Sequence, residues 1–393
     1  MKRLLSMALC AALLLVAGGW NAALADFHIG ILTGSEDQSA DELRGAEAFR
    51  ARYGADRVTL VNYPDSFTTE REKTVQILTE LAEDPEMGAI IANQAVPGTA
   101  DAFRLIKERR PEILCIAGQS HEEVGVIGVA ADLVIKNDYA SRGYLIIHTA
   151  HELGCDTFVH ISFPRHKASE LMGRRCRIMQ AACEDFGMTF AEEFAPDPTL
   201  TGTEDAKAFI TLAAPQWIEK YGPKAAFFCT NDAHTAPLIR QLLAYGGYFI
   251  EADLPSPLNG YPEALGLDLS GMDGDFEKIQ TALEDAICAQ GGAGRFGTWT
   301  YSFGYTLSAG LAQHAVNVLN GESRIDDLDD ILKALQEYAP GAHWNGSHYT
   351  TPRTGEKLNH VVLLYQDTYL MGRAGHYMNA TGVAIPEKYF TIE

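Results

Sequence analysis

"AAFFCTNDAHTAPLIRQLLAYGG" (225–247) runs from a short apolar segment into an amide and a carboxylate, Asn231 and Asp232, and then into a repeat of helical spacing. The segment "AAFFCT" has no alternation of polar and apolar residues, which reads as a strand covered on both faces, as in a parallel sheet. A polar side chain at the handover to a helix can cap the first free amides. In open parallel sheets the same position, beyond the carboxyl end of a strand, is also where ligands lie, because helix N-termini and loop side chains converge there. Both roles are open to Asn231 and Asp232.

The pattern repeats along the chain. "FHIGILTG" (27–34), "RVTLVNY" (57–63), "MGAIIANQ" (87–94) and "EILCIAGQ" (112–119) read as strands, separated by helical stretches such as 40–54, 69–84 and 99–111. Strand and helix in alternation imply a parallel sheet with helices on both faces. A second series follows: a helix at 137–154, a strand at 156–163, a helix at 166–187, a strand at 189–195, a helix at 203–222 and then the opening stretch. "ALGLDL" (264–269) reads as a further strand, and a long helix is expected within 295–321. Two tandem α/β series predict two similar lobes.

Residues 1–25 carry Lys2 and Arg3, an apolar run from Leu4 to Val16 and the small-x-small pair Ala23 and Ala25, the features of a cleaved export signal. Cleavage is expected after Ala25, leaving a periplasmic chain. That chain holds 29 basic against 52 acidic residues, a net charge of −23. Such a field repels phosphate backbones, and nucleic acid is not an expected partner. The first strand begins directly after the leader, with no room for a helix-turn-helix. About 368 residues exceed what one core supports, in keeping with two lobes. Six cysteines remain. Cys176 and Cys183 stand seven apart on one expected helix, about 10 Å along its axis and beyond disulfide reach, while Cys115 and Cys229 sit inside apolar strands.

"IGILTG", "NDYASRGYLIIHTAHELGCDTFVHISF" (137–163), "GRRCRIMQAACEDFGM" (173–188), the opening stretch and "LGLDLSG" (265–271) together resemble the type I periplasmic solute-binding proteins over about residues 27–320. The resemblance implies an α/β fold of two doubly wound Rossmann-like lobes joined by a hinge, with a small molecule held in the cleft as the lobes close. It places 26–133 and about 300–322 in the N-terminal lobe, and 134–299 with about 323–393, including a C-terminal extension, in the other. It implies a small-molecule ligand, sugar-like or nucleoside-like, delivered to an ABC permease by a monomer without cofactor or metal. A ligand sensor docking on a membrane receptor is the alternative, and a hydrolase the third.

Matched by position, the resemblance puts ligand contacts at Ser35, Asp37, Asn93 and Gln119 in the first lobe. In the second it points to Phe163, Arg165, Arg174, Asn231, Asp232 and Asp268, with Trp299 and Tyr301 near the crossing. Amides and carboxylates suit hydroxyl or base-edge groups, aromatic faces suit rings, and the arginines suit a carboxylate.

Three tempting motifs lack their context. "GAGRFG" (292–297) follows a helix instead of a strand, so it lacks nucleotide-loop geometry. His148 and His151 in "HTAHE" do not have zincin spacing, and "GQSHE" (118–122) lacks the closing Gly of a nucleophile elbow.

Overall fold

A computed structural model describes residues 27–392; the expected leader lies outside them. Twelve strands are present: β1 His28–Thr33, β2 Val58–Asn62, β3 Met87–Ala92, β4 Leu114–Gly118, β5 Leu133–Asn137, β6 Thr157–Ser162, β7 Thr189–Phe194, β8 Ala225–Cys229, β9 Gly297–Thr298, β10 Trp344–Thr350, β11 Lys357–Gln366 and β12 Tyr369–Leu370. They form a seven-stranded and a three-stranded sheet, both with helices, and a small β9–β12 pair, the α/β arrangement that the alternation predicts.

The first sheet runs β10-β11-β5-β4-β3-β1-β2, and all its pairings are parallel except the β10–β11 hairpin. The second has β7-β6-β8 as its parallel core. Single bridges at Ala226–Tyr248 and Phe249–Phe296 continue it toward the β9–β12 pair. Strand residues of alternating parity feed different cores. Phe158 joins the cluster under the helices Tyr139–Glu152 and Glu170–Phe186, whereas Val159 and Ile161 join the one against Thr203–Tyr221 and Asp232–Tyr245.

The chain crosses between the lobes three times: at Asn137–Tyr139, at Trp299–Ser302 and at Gln366–Thr368. A buried network joins all three. Arg142 donates through Nε to Glu251 Oε1 at 2.6 Å and through Nη1 to Asn137 Oδ1 at 2.9 Å. It also donates to the backbone carbonyls of Asp253 and Ala252 at 2.9 and 2.7 Å. Glu251 Oε2 accepts from Trp299 Nε1 at 3.0 Å and from Thr368 Oγ1 at 3.5 Å. The guanidinium lies 5.4 Å from the Trp299 ring centre. Gln366 clasps the neighbouring crossing, with its amide donating to Tyr301 O at 3.0 Å.

Three sequence expectations are corrected. The C-terminal extension was expected on the second lobe, but β11 pairs parallel with β5 and carries β10 with it, so residues 344–366 complete the first sheet. Its core-facing Val361 and Leu363 are buried there, and only past Gln366 does the chain return to the second lobe. The helix expected at 137–154 is present but begins at Tyr139 with Asp138 as its N-cap, because Asn137 still belongs to the strand "LVIKN" (β5); the buried run is too short for periodicity to fix where strand gives way to helix. "ALGLDL" is not a strand. Pro262 opens the helix Tyr261–Leu265, and Gly266, at φ +66°, ends it in the left-handed conformation that glycine adopts without penalty.

The six cysteines of the described residues are free, and all but Cys288 are buried. A thiol reagent should therefore label one site quickly in the native leader-free protein and six after denaturation. A denatured count of four or fewer would mean that a disulfide forms.

Candidate functional site

Between the lobes, at the carboxyl ends of both sheets, lie two adjoining polar pockets of about 300 and 250 Å³ that share Gln119, Asn137, Asp232 and Leu254 in their walls. Together they form one cleft, bounded behind by the crossings at Asn137 and Ser302.

The first-lobe wall is built from bent backbone. The helix Glu36–Tyr53 is broken at Ser39 (φ −159°, ψ 72°), and beyond the kink Asp41 and Glu42 border the cleft. Gln94, Ala95 and Gln119, at the ends of β3 and β4, have φ of +60°, +29° and +39°. Non-glycine residues in this region cost on the order of 1–3 kcal/mol each, and such strain gathers at functional sites. The two loops are tied together, because His121 donates its backbone N–H to Gln94 O at 2.7 Å and its ring Nε2 lies 2.8 Å from Gln94 Oε1. Lys136, inside β5, donates to Ser120 O and Glu122 O at 2.9 and 3.0 Å, which leaves one N–H of its ammonium for the pocket it lines.

The second-lobe wall starts at the helix Asp232–Tyr245. Asn231 caps it, its side chain accepting from Ala233 N at 3.0 Å. Asp232 takes a hydrogen bond from Asn259 Nδ2 at 2.7 Å, and that amide is also held by Leu254 O at 2.9 Å. The proline-rich loop 254–259 thus forms part of the cleft wall. His166 Nδ1 lies 3.2 Å from Thr230 Oγ1, which pairs with Ser162 Oγ at 2.9 Å. Behind them Arg175 is wholly buried between the rings of Tyr139 and Phe228, 4.8 and 4.7 Å from their centres, and pairs with Asp253 at 2.5 Å.

The electrostatics follow from this crowding. Burial pushes Glu42 up to about 7, against hydrogen bonds from Gln94, the Gly34 amide and Ser39. Burial also raises Asp41, while Ser302 and Arg44 oppose the shift. Asp232 is exposed in the cleft yet has protein groups close on several sides. Desolvation pushes it up to about 6, Asn259 opposes that shift and Asp253 adds to it. Burial holds Lys136, His121 and His166 below their ordinary ranges. One donor stands out: Asn137 Nδ2, buried at the junction of the two pockets, has no partner among the described residues.

Of the twelve positions matched from sequence, Gln119, Asn231 and Asp232 come together in this cleft. The others do not line it. Ser35 is the N-cap residue of its helix and Asp37 is exposed in the first turn. Asn93 is buried beneath, donating to Ser308. Phe163 is buried 4.0 Å from the His166 ring, and Arg165 makes a two-pronged pair with Asp197 at 2.7 and 2.9 Å. Arg174 donates to Phe390 O and borders a separate depression. Asp268 accepts from Ser270 on the surface, Trp299 belongs to the hinge network, and Tyr301 donates to Pro340 O at 2.9 Å. Sequence reasoning missed Glu42, Lys136, Asn137, Tyr139 and Asp253 as cleft residues, while Gln94, which follows the third strand, was read beside Asn93 and does line it. A lysine and an asparagine ending the apolar run "LVIKN" are the signal that could have found two of them.

Two α/β lobes, three crossings and a polar cleft at the strand ends define the type I periplasmic-binding-protein fold, and solved structures agree. A Clostridium difficile 630 protein described as a "Putative transcriptional regulator" superposes with a TM-score of 0.78 at 19% identity, covering 88% of this chain and 99% of that one. A sugar ABC transporter protein from Actinomyces odontolyticus gives 0.51 at 11% identity, over 77% and 87%. In sequence, residues 27–297 match the family described as "Protein of unknown function (DUF3798)", and the chain belongs to that family. A second family matches residues 308–392. An uncharacterized protein of Treponema pallidum (strain Nichols) is 41% identical over 211 residues, 53% of this chain and 95% of its own length.

Proposed function

We propose that the protein is an exported receptor that closes its two lobes on a small polar solute, sugar-like or nucleoside-like, and hands it to an ABC permease in the membrane. The observation that carries this reading is the cleft itself, whose junction holds a buried amide donor, Asn137 Nδ2, with no partner among the described residues. A buried unpaired donor costs about 1–3 kcal/mol, which a hydroxyl or carbonyl oxygen of a bound solute would recover. Asp41, Glu42 and Asp232 supply acceptors for hydroxyl or amine protons, Gln94 and Gln119 can give or take, and Tyr139 offers a ring face. Closure would exchange the solute's water for these fixed dipoles. The acidic field and the leader of residues 1–25 support a periplasmic, nucleic-acid-free role, and a monomer suffices for it.

Mass spectrometry of the small molecules that co-purify from the native periplasm, followed by calorimetry with a panel of pentoses, hexoses and nucleosides, tests the reading. Asp232→Ala should weaken the bound member by roughly 10- to 100-fold, the worth of a hydrogen bond to a charged group. Asp268→Ala, outside the cleft, should leave it unchanged. Equal affinity in wild type and Asp232→Ala would remove the cleft reading. Capture by a membrane receptor in place of a permease would favour sensing over transport.

A further inference from the structure

A second cluster of ligating side chains lies inside the second lobe, apart from the cleft lining. In the parallel register of β6 and β7, His160 stands opposite Glu192, so both side chains leave the same face of the sheet. The helix Glu170–Phe186 covers that face and brings Cys176 Sγ to 3.7 Å from His160 Nδ1 and 3.6 Å from Glu192 Oε1. The three ligand atoms all lie within 4.8 Å of one another. A tetrahedral zinc ion with bonds of ~2.3 Å to sulfur and ~2.0–2.2 Å to nitrogen and oxygen holds its ligands about 3.4–3.6 Å apart, close to the two sulfur distances here.

The surroundings favour an ion over a plain hydrogen-bonded thiol. His160 is only 1% exposed, and the ring nitrogen that faces the cluster, Nδ1, meets the weakly hydrogen-bonding Cys176 sulfur at 3.7 Å, a poor contact that an ion between them would replace. Its orientation is set by Phe190 and Phe228 on the flanking strands, with ring centres 6.1 and 5.9 Å away. Cys176 is a buried thiol that forms no disulfide with another cysteine of the described residues. Glu192 lies on the edge strand and is solvent-exposed, which gives an ion a way in. Two cations stand nearby. Lys167 Nζ sits 2.7 Å from Glu192 Oε1 but is itself half exposed and can swing into water. The charge of Arg175 is balanced by Asp253.

We propose that His160, Cys176 and Glu192 form a zinc site, with water as the fourth ligand. The site would brace β6, β7 and the covering helix, and it rests on no reading of the cleft.

The test uses leader-free, tag-free full chain stripped with chelator, titrated with zinc chloride by calorimetry and with cobalt chloride by absorption. One ion per chain should bind, with a thiolate-to-cobalt charge-transfer band and a raised melting temperature. Cys176→Ser should abolish the band and weaken zinc by at least about 100-fold, more than losing an outer-sphere partner costs. Glu192→Gln, at an exposed position, should weaken zinc about tenfold with the fold intact, which keeps the test sharp if Cys176→Ser misfolds. Lys167→Ala, which frees the carboxylate, should bind zinc at least as tightly as wild type. The surface group of His28, Asp84 and Glu86 is the other such cluster among the described residues. No uptake, uptake without the thiolate band, or uptake lost in Asp84→Asn and kept in Cys176→Ser would each overturn the assignment.

Discussion

Arg142→Met should lower the stability of the whole chain by about 3–5 kcal/mol, the usual cost of stripping one partner from a buried ion pair. Arg142 and Glu251 are both under 3% exposed, and the guanidinium makes four hydrogen bonds in the folded chain. Removing it leaves the Glu251 carboxyl buried without its cation, with the Trp299 indole and Thr368 hydroxyl as its remaining partners, and frees the carbonyls of residues 252 and 253. Glu251→Gln should cost less, because its amide oxygen can still accept from Arg142 while the Coulomb attraction is lost. The double variant Arg142→Met with Glu251→Leu should recover part of the loss, since apolar replacements of similar volume avoid the buried charge. Urea unfolding of the three variants checks this. A loss under about 1 kcal/mol for Arg142→Met would show that the network does not hold the crossings together.

Glu42→Gln should act in the opposite direction, stabilising the protein at pH 8 by up to about 3 kcal/mol. The sign follows from the direction of the shift. Burial raises the Glu42 carboxyl from its ordinary 4.5 to about 7 in the folded chain, so the folded state holds this proton more tightly than the unfolded one. Ionisation therefore opposes folding. The penalty is absent below about pH 4.5, grows as pH rises and is complete above about 7. Two and a half pK units at about 1.4 kcal/mol each set the ceiling. The glutamine amide can still accept from Gly34 N, which Glu42 Oε2 does at 3.3 Å. Melting temperatures should converge near pH 4.5 and separate by pH 8; curves that stay parallel would refute the assignment. A carboxylate kept where it destabilises the fold is what a binding wall would show, because sites trade stability for function.

The lobes were legible because strand and helix leave different periods in the apolar residues, and "AAFFCT" followed by Asn231 shows both at once. Asn231 was legible as a residue of the strand-to-helix handover, where an amide can cap the helix, face a ligand or do both. The extension was misplaced because "HVVLLYQDTYLMG" is apolar enough for either sheet, and nothing local says that Val361 pairs with Val134. The site was read only in part for a similar reason. Matching by position favours the residue just past each strand, yet at β3 the left-handed Gln94 faces the cleft and Asn93 turns into the core. Lys136 and Asn137 were hidden inside β5, and the pairing of Arg142 with Glu251 spans 109 positions. Interactions at such separation leave no spacing signal.

The three crossings also constrain how the halves can swing. A single connecting strand would let one lobe bend, twist and slide against the other. Three side-by-side connections, pinned by Arg142 and Glu251, resist torsion and shear while still permitting flexure, as a triple-leaf spring does. The terminal segment adds a further tie, with Tyr389 bonded to Asp185 after β10 and β11 have been built into the opposite half. Opening should therefore follow one rotation axis, so that each solute leaves by the path along which it came in.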